Sequence, residues 1–284
     1  MESESFVGKR CEDVSSHVFD GIVLGQDESY DMAKVCCWSF RKGTDVRNGI
    51  TLSLGNLCSG FPFNFCGHHF HTSESAYLCG EFSSDTAECQ AVQRRLQQEE
   101  NGWKAKKGIK GPNKHLVRND WDEVRVQWML CVVWAKCCGN ADFRKLLLSL
   151  PVDAVIIEDS TDQTGSTATV WGAKNKAVRL WRRRRKEELL KSLPYLTKTA
   201  IKAIVDREAM QQSIGVWEGQ NNMGKVLKLC QLALMNGLEP PIDYELLNGS
   251  GIYLLGEKLC LPRLDERYPR PAPDVAGERF CRRA

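Results

Sequence analysis

The chain has 284 residues, of which 42% are hydrophobic and 26% charged, an ordinary globular balance with enough length to bury a core without disulfide or metal staples. No stretch approaches the roughly 18 to 20 apolar residues of a spanning helix. Residues 1–16 lack a signal-peptide layout, so membrane and secreted proteins are excluded and a cytoplasmic location is expected. A net charge of +3 does not by itself imply a nucleic-acid partner, but the cations are clustered. Arg182, Arg183, Arg184, Arg185 and Lys186 form one run, and Lys104, Lys106, Lys107 and Lys110 a looser one.

In chain order, Ile22-Val23-Leu24 and the stretch from Lys34 to Phe40 each read as a strand. Phe61 to Phe65 is an aromatic extended segment, ended by the turn pair Cys66-Gly67. Thr72 is a good N-cap for a short helix with Glu74 in its first turn. Asp120 and Glu123 have the spacing of a capping box before the apolar stretch from Val124 to Trp134, and Gly139 closes that helix. Phe143, Leu146, Leu147 and Leu150 continue with helical spacing to Pro151. The run Ala154 to Ile157 reads as a buried strand delivering Glu158 at its end. A loop over 160–170 precedes a charged helical region over 176–212, broken near Pro194 and recapped at Thr197. A last long helix spans Asn222 to Asn236 with Gly237 as its stop, and Gly256 splits a hairpin between Ile252 and Leu261.

Thirteen cysteines, odd in number and with the adjacent pairs Cys36-Cys37 and Cys137-Cys138, read as reduced thiols rather than a disulfide framework. Cys66, His68, His69 and His71 suggest zinc by residue type, but four ligands within six residues do not easily close on one ion. Exposed histidines on a strand and turn are the better reading, and no metal is expected. The P-loop, Gly-x-Gly-x-x-Gly and Gly-x-Ser-x-Gly signatures are absent.

Taken singly, Glu74 reads as a helix-start charge, and Glu158 and Asp162 as loop carboxylates. The order in which they occur says more. Thr72-Ser73-Glu74, Asn119-Asp120-Trp121, Ile157-Glu158, Asp162, Trp171-Gly172 and Gly219-Gln220-Asn221-Asn222-Met223-Gly224 together resemble the NADAR (YbiA-like) family over residues 55–236. The chain departs from that pattern in three places. Glu81 stands where many relatives have a Lys, the Arg run lies in an insertion, and no Arg follows Gly224.

The resemblance implies an α+β, predominantly helical single domain with a few short strands. Residues 1–54 would pack on it as an extension. Residues 55–236 would form the catalytic domain with an insertion near 175–215, 237–262 a strand hairpin, and 263–284 a disordered tail. It also implies a hydrolase that needs no cofactor, an N-glycosidase cutting the ribose C1–N bond of an ADP-ribosylated guanine base in DNA, another nucleic acid or a nucleotide. The alternatives are hydrolysis of riboflavin-pathway ribosylamino-pyrimidine phosphates, or binding of ADP-ribose or NAD without cleavage.

On this reading Glu74 is the carboxylate nearest the anomeric carbon, stabilising an oxocarbenium-like state. Asp162 or Glu158 activates water or accepts a ribose hydroxyl, and Trp121 or Trp171 stacks on the base. Backbone N–H groups from Gly219 through Asn221 to Gly224, before a helix, would hold phosphate, with Gly172 beside them. Arg182, Arg183, Arg184 and Arg185 are candidate polynucleotide contacts, the alternative being a solvated helix face with Glu187 and Glu188.

Overall fold

The structure, a computed structural model, describes residues 17–261. The N-terminal start, the Pro- and Arg-rich tail, Cys11 and Cys281 lie outside the described residues. The architecture is α+β. Helix predominates, and each sheet among the described residues is two strands wide.

The chain opens with strand β1 (Glu28–Asp31) and strand β2 (Cys37–Phe40), then a small hairpin of β3 (Val46–Arg47) and β4 (Ile50–Thr51). The strand expected at Ile22–Leu24 is not formed. Ile22 and Leu24 pack on the core from irregular backbone, and the strand lies further on, at β1. Hairpin β5 (Phe63–Phe65) and β6 (His68–Phe70) turns through Cys66 and Gly67, both at positive φ, the geometry of the tight turn that matches strand twist. Its alternation buries Phe63, Phe65 and Phe70 and leaves Asn64 and His69 exposed. Among the described residues no three His, Cys, Asp or Glu side chains converge as a metal site.

Helix α1 (Ser73–Glu81) begins where expected, with the Thr72 hydroxyl accepting from the Ser75 N–H at 3.2 Å. Helix α2 (Ala87–Gln98) is capped by Thr86 in the same way. The single turn α3 (Gly102–Lys104) passes into a π-helical segment over Ala105–Lys110. The central helix α4 (Trp121–Gly139) carries a run of buried residues from Trp128 to Cys137, so it is covered on all sides. Asp120 precedes it but does not cap it. Arg118 holds the Asp120 carboxylate through Nε at 2.6 Å and Nη2 at 2.7 Å, so the expected capping box is not made.

Helix α5 (Ala141–Leu148), capped by Asn140, leads to strand β7 (Val155–Glu158) and the short helix α6 (Ala168–Trp171). Helices α7 (Lys176–Ser192) and α8 (Lys198–Ala209) pack on one another across the break at Pro194, and Thr197 caps the second. Strand β8 (Val216–Gly219) pairs antiparallel with β1, joining the N-terminal segment to the far end of the chain. Helix α9 (Asn222–Asn236) ends on left-handed Gly237. Residues 244–249 form helix α10 (Tyr244–Gly249), and the C-terminal hairpin is the short pair β9 (Tyr253–Leu254) and β10 (Glu257–Lys258).

The site is positioned by two contacts. Parallel pairing of β2 with β7 sets Phe40 opposite Glu158. Helix α1 crosses α4 where Gly80 meets the fully buried Trp128, whose indole N–H donates to the Tyr77 carbonyl at 3.1 Å. Burying an aromatic of that size contributes about 1.5–3 kcal/mol, and it fixes α1 and hence Glu74. Cys37, Cys79, Cys89, Cys131, Cys137 and Cys230 are buried free thiols that fill this interior as small hydrophobes. No helix among the described residues is long and apolar enough to cross a membrane.

Candidate active site

A cleft of about 1340 Å³ opens between α1, the π-helical segment, the start of α4 and the end of β7. It exceeds the roughly 300–1,000 Å³ of common small-ligand pockets, leaving room for a dinucleotide-sized molecule. Glu74, Trp121, Glu158, Asp162 and Trp171, far apart in sequence, all line it.

Glu74 is in the first turn of α1, 5% exposed, and its N–H donates to the Asn56 carbonyl at 3.1 Å. The Lys106 ammonium lies 3.6 Å from its carboxylate. One residue pair deeper the arrangement repeats: Lys110 Nζ stands 2.8 Å from Glu81 Oε1. Lys106 and Lys110 are four residues apart on the π-helical segment, so both reach the same side. Glu81 Oε2 has no hydrogen-bond partner, and burial pushes the Glu81 carboxyl up against the opposing pull of Lys110.

Glu158 ends β7. Burial raises its carboxyl to about 7, with Lys106 opposing the shift and Glu74 adding to it. The local backbone explains why it stops there. Asn221, buried and left-handed at φ +50, accepts from the Glu158 N–H at 3.0 Å and donates to the Ile156 carbonyl at 2.8 Å. Its side chain thus takes the place of a neighbouring strand.

Three aromatic rings form the floor. Tyr77 sits 5.1 Å from Trp121 and 5.4 Å from Trp171 between ring centroids, the second pair edge to face. Asp162 is on the rim, 2.8 Å from Arg41 and 3.5 Å from Arg182. A carboxylate shared by two guanidinium groups is a well-fixed hydrogen-bond acceptor.

The glycine-rich element lies behind β7, and Gly172, Gly219, Asn221 and Gly224 do not line this cleft. The Gln220 N–H donates to Thr169 and the Asn221 N–H to Gly172, so these amides are used within the fold. A Cβ on Gly224 would come within 2.0 Å of the Ile156 carbonyl oxygen, and one on Gly172 within 2.3 Å of the Glu158 carbonyl oxygen. These glycines allow close backbone approach to the strand that carries Glu158.

The arginine run is divided by burial. Arg182 is buried against Asp159 and Asp162. Arg185 bonds Glu208 at 2.6 Å and Glu188 at 3.2 Å. Arg183 and Arg184 are exposed, the first paired with Glu187 at 3.3 Å.

Sequence reasoning missed Glu81, Lys106 and Lys110 as site residues. The lysines were visible only as a loose basic run, because their position depends on a π-helical turn that leaves no compositional mark. Four buried polar atoms without partners, Asn56 Oδ1, Glu81 Oε2, Arg118 Nη1 and Arg125 Nε, also belong to cleft-lining residues. Unpaired buried groups gathered in one place are unusual in a finished fold and are common where a ligand completes the bonding.

No family model matches the chain, and no curated protein matches it. Among solved structures, the NMR structure of the E. coli protein YbiA is similar over 62% of this chain and 89% of its own, at 16% identity and a TM-score of 0.35.

Proposed function

We propose that the cleft is an N-glycosidase site that hydrolyses the bond between ribose C1 and nitrogen in an ADP-ribosylated guanine base, the chemistry that the NADAR-like order of motifs implies. The observation that carries this reading is the pairing in one cleft of two unlike carboxyl groups beside aromatic faces. Glu74 is held next to Lys106, and Glu158 is raised to about 7. Environments that set two acids apart assign them different roles.

In the proposed reaction the guanine rests on Trp121 or Trp171. The C1–N bond breaks with its electron pair going to nitrogen, and the Glu158 carboxyl gives that nitrogen a proton. Glu74 stabilises the positive charge developing on the ribose. Water adds to C1 and returns a proton to Glu158, so the net change is addition of one water across the bond. Asp162, fixed by Arg41, accepts a ribose hydroxyl. Lys106 and Lys107, at the cleft wall, meet the diphosphate, which draws Lys106 away from Glu74 when substrate is present.

A pH dependence follows. Glu158 must carry its proton to act as the acid, so kcat is expected to fall as pH rises through about 7. In Glu158→Gln that limb disappears along with most of the turnover. Stability has the same sign. The native state binds this proton more tightly than the unfolded chain does, so the stabilisation is full below about 4.3 and is lost as pH rises towards 7.

The test is incubation with an oligonucleotide carrying ADP-ribosylated guanine and, separately, with a ribosylamino-pyrimidine phosphate, reading products by mass spectrometry. Free ADP-ribose and restored guanine from the first are the expected result. Release from the second alone moves the assignment to the pyrimidine intermediates, and release from neither removes the catalytic reading.

A further inference from the structure

A second concavity, of about 750 Å³, lies along α7 and α8, and Asp162 lines both it and the cleft. Its wall on α7 holds Lys176, Arg179, Arg183 and Lys186. These are three, four and three residues apart, so they form one stripe on one helix face, about 15 Å long. Lys202 faces them from α8, and Leu180, 54% exposed, lies beside them.

The acids of this groove are already engaged. Asp162 is held by Arg41 and Arg182, and Asp206 by Arg41, Lys42 and Lys202. Arg179 and Lys186 have no ion-pair partner among the described residues, and the Arg183–Glu187 pair is exposed and therefore weak. Lys176 lies 3.9 Å from Glu218, likewise an exposed pair, so with Asp162 and Asp206 engaged elsewhere Arg179, Arg183 and Lys186 leave a net positive stripe running toward the cleft.

We infer that this groove binds the phosphodiester backbone of a single-stranded polynucleotide whose modified base enters the cleft. The inference rests on the N-glycosidase reading for the direction of the strand, but its chemistry is that of the groove alone. A base must leave the stack to be worked on, which favours a single-stranded track. The cations that make the track are Arg179, Arg183 and Lys186. Arg182 and Arg185 of the arginine run hold the scaffold behind them.

Binding of a fluorescein-labelled unmodified single-stranded oligonucleotide to the full chain, at several salt concentrations, tests this. Three backbone contacts on a single strand predict an affinity loss of roughly 20-fold between 50 and 200 mM salt. The triple variant Arg179→Ala, Arg183→Ala, Lys186→Ala should bind about tenfold or more weakly at 50 mM and show a flatter salt dependence. Its melting temperature and its turnover on a small ADP-ribosyl-guanine nucleoside should match the parent. No binding by the parent, equal binding by the variant, or binding to anionic phospholipid vesicles in place of the strand overturns the proposal. Strand binding that is lost in the variant, in a chain that cleaves no nucleoside, upholds the groove and removes the N-glycosidase reading.

Discussion

Glu74→Gln is expected to lower turnover on the order of 10²-fold or more while leaving ligand affinity nearly unchanged. The amide keeps the size of the side chain but removes the charge that a developing ribose cation would feel. Because that cation exists only near the transition state, the loss falls on kcat and kcat/KM together. If Glu74 served only as a first-turn charge on α1, the same change would cost roughly 0.3–1 kcal/mol of stability and leave turnover alone. Kinetics, equilibrium binding and a melting curve on the one variant separate the two roles. Full activity would take Glu74 out of the mechanism and leave Glu158 as the principal acid.

Gly224→Ala should cause the larger loss of stability. The added methyl would stand 2.0 Å from the Ile156 carbonyl and 2.5 Å from the Asn221 amide. Neither is the free end of a flexible chain. The carbonyl belongs to β7, and the amide is tied to it at 2.8 Å. Overpacking of this kind costs about 1–3 kcal/mol, and a domain of this size loses roughly 2–4 °C per kcal/mol. A fall of several degrees in melting temperature is therefore expected, together with loss of activity as β7 shifts and carries Glu158 with it. A variant that keeps its melting temperature but loses diphosphate affinity would show Gly224 to be a ligand contact instead.

Local sequence reveals most where one short segment is sufficient. Thr72 announces α1 because the cap and the helix are adjacent, and β7 is legible because its apolar β-branched run is continuous in sequence, with Ile156 and Ile157 buried. Strand β1 is hidden because Glu28–Asp31 is polar and its partner, Val216–Gly219, lies at the other end of the chain. Asp120 has the spacing of a cap, but Arg118 takes its carboxylate, a competition that spacing cannot reveal.

The candidate site divides in the same way. Five chemically distinctive residues, Glu74, Trp121, Glu158, Asp162 and Trp171, converge on one cleft although each is unremarkable alone. The glycine-rich element was read for its N–H groups, whereas its glycines serve the close approach of α9 and α6 to β7. Glu81 appeared only as a departure from the family's Lys. In space Glu81 pairs with Lys110, as Glu74 does with Lys106, both amines coming from the π-helical segment.

The most direct test of the central claim is a crystal structure of Glu74→Gln with an uncleaved ADP-ribosylated guanosine. The account predicts ribose C1 beside the side chain at position 74, Glu158 within hydrogen-bond reach of the linking nitrogen, and guanine against Trp121 or Trp171. Ligand bound with its ribose away from positions 74 and 158, or seated on the glycine-rich element behind β7, would contradict it.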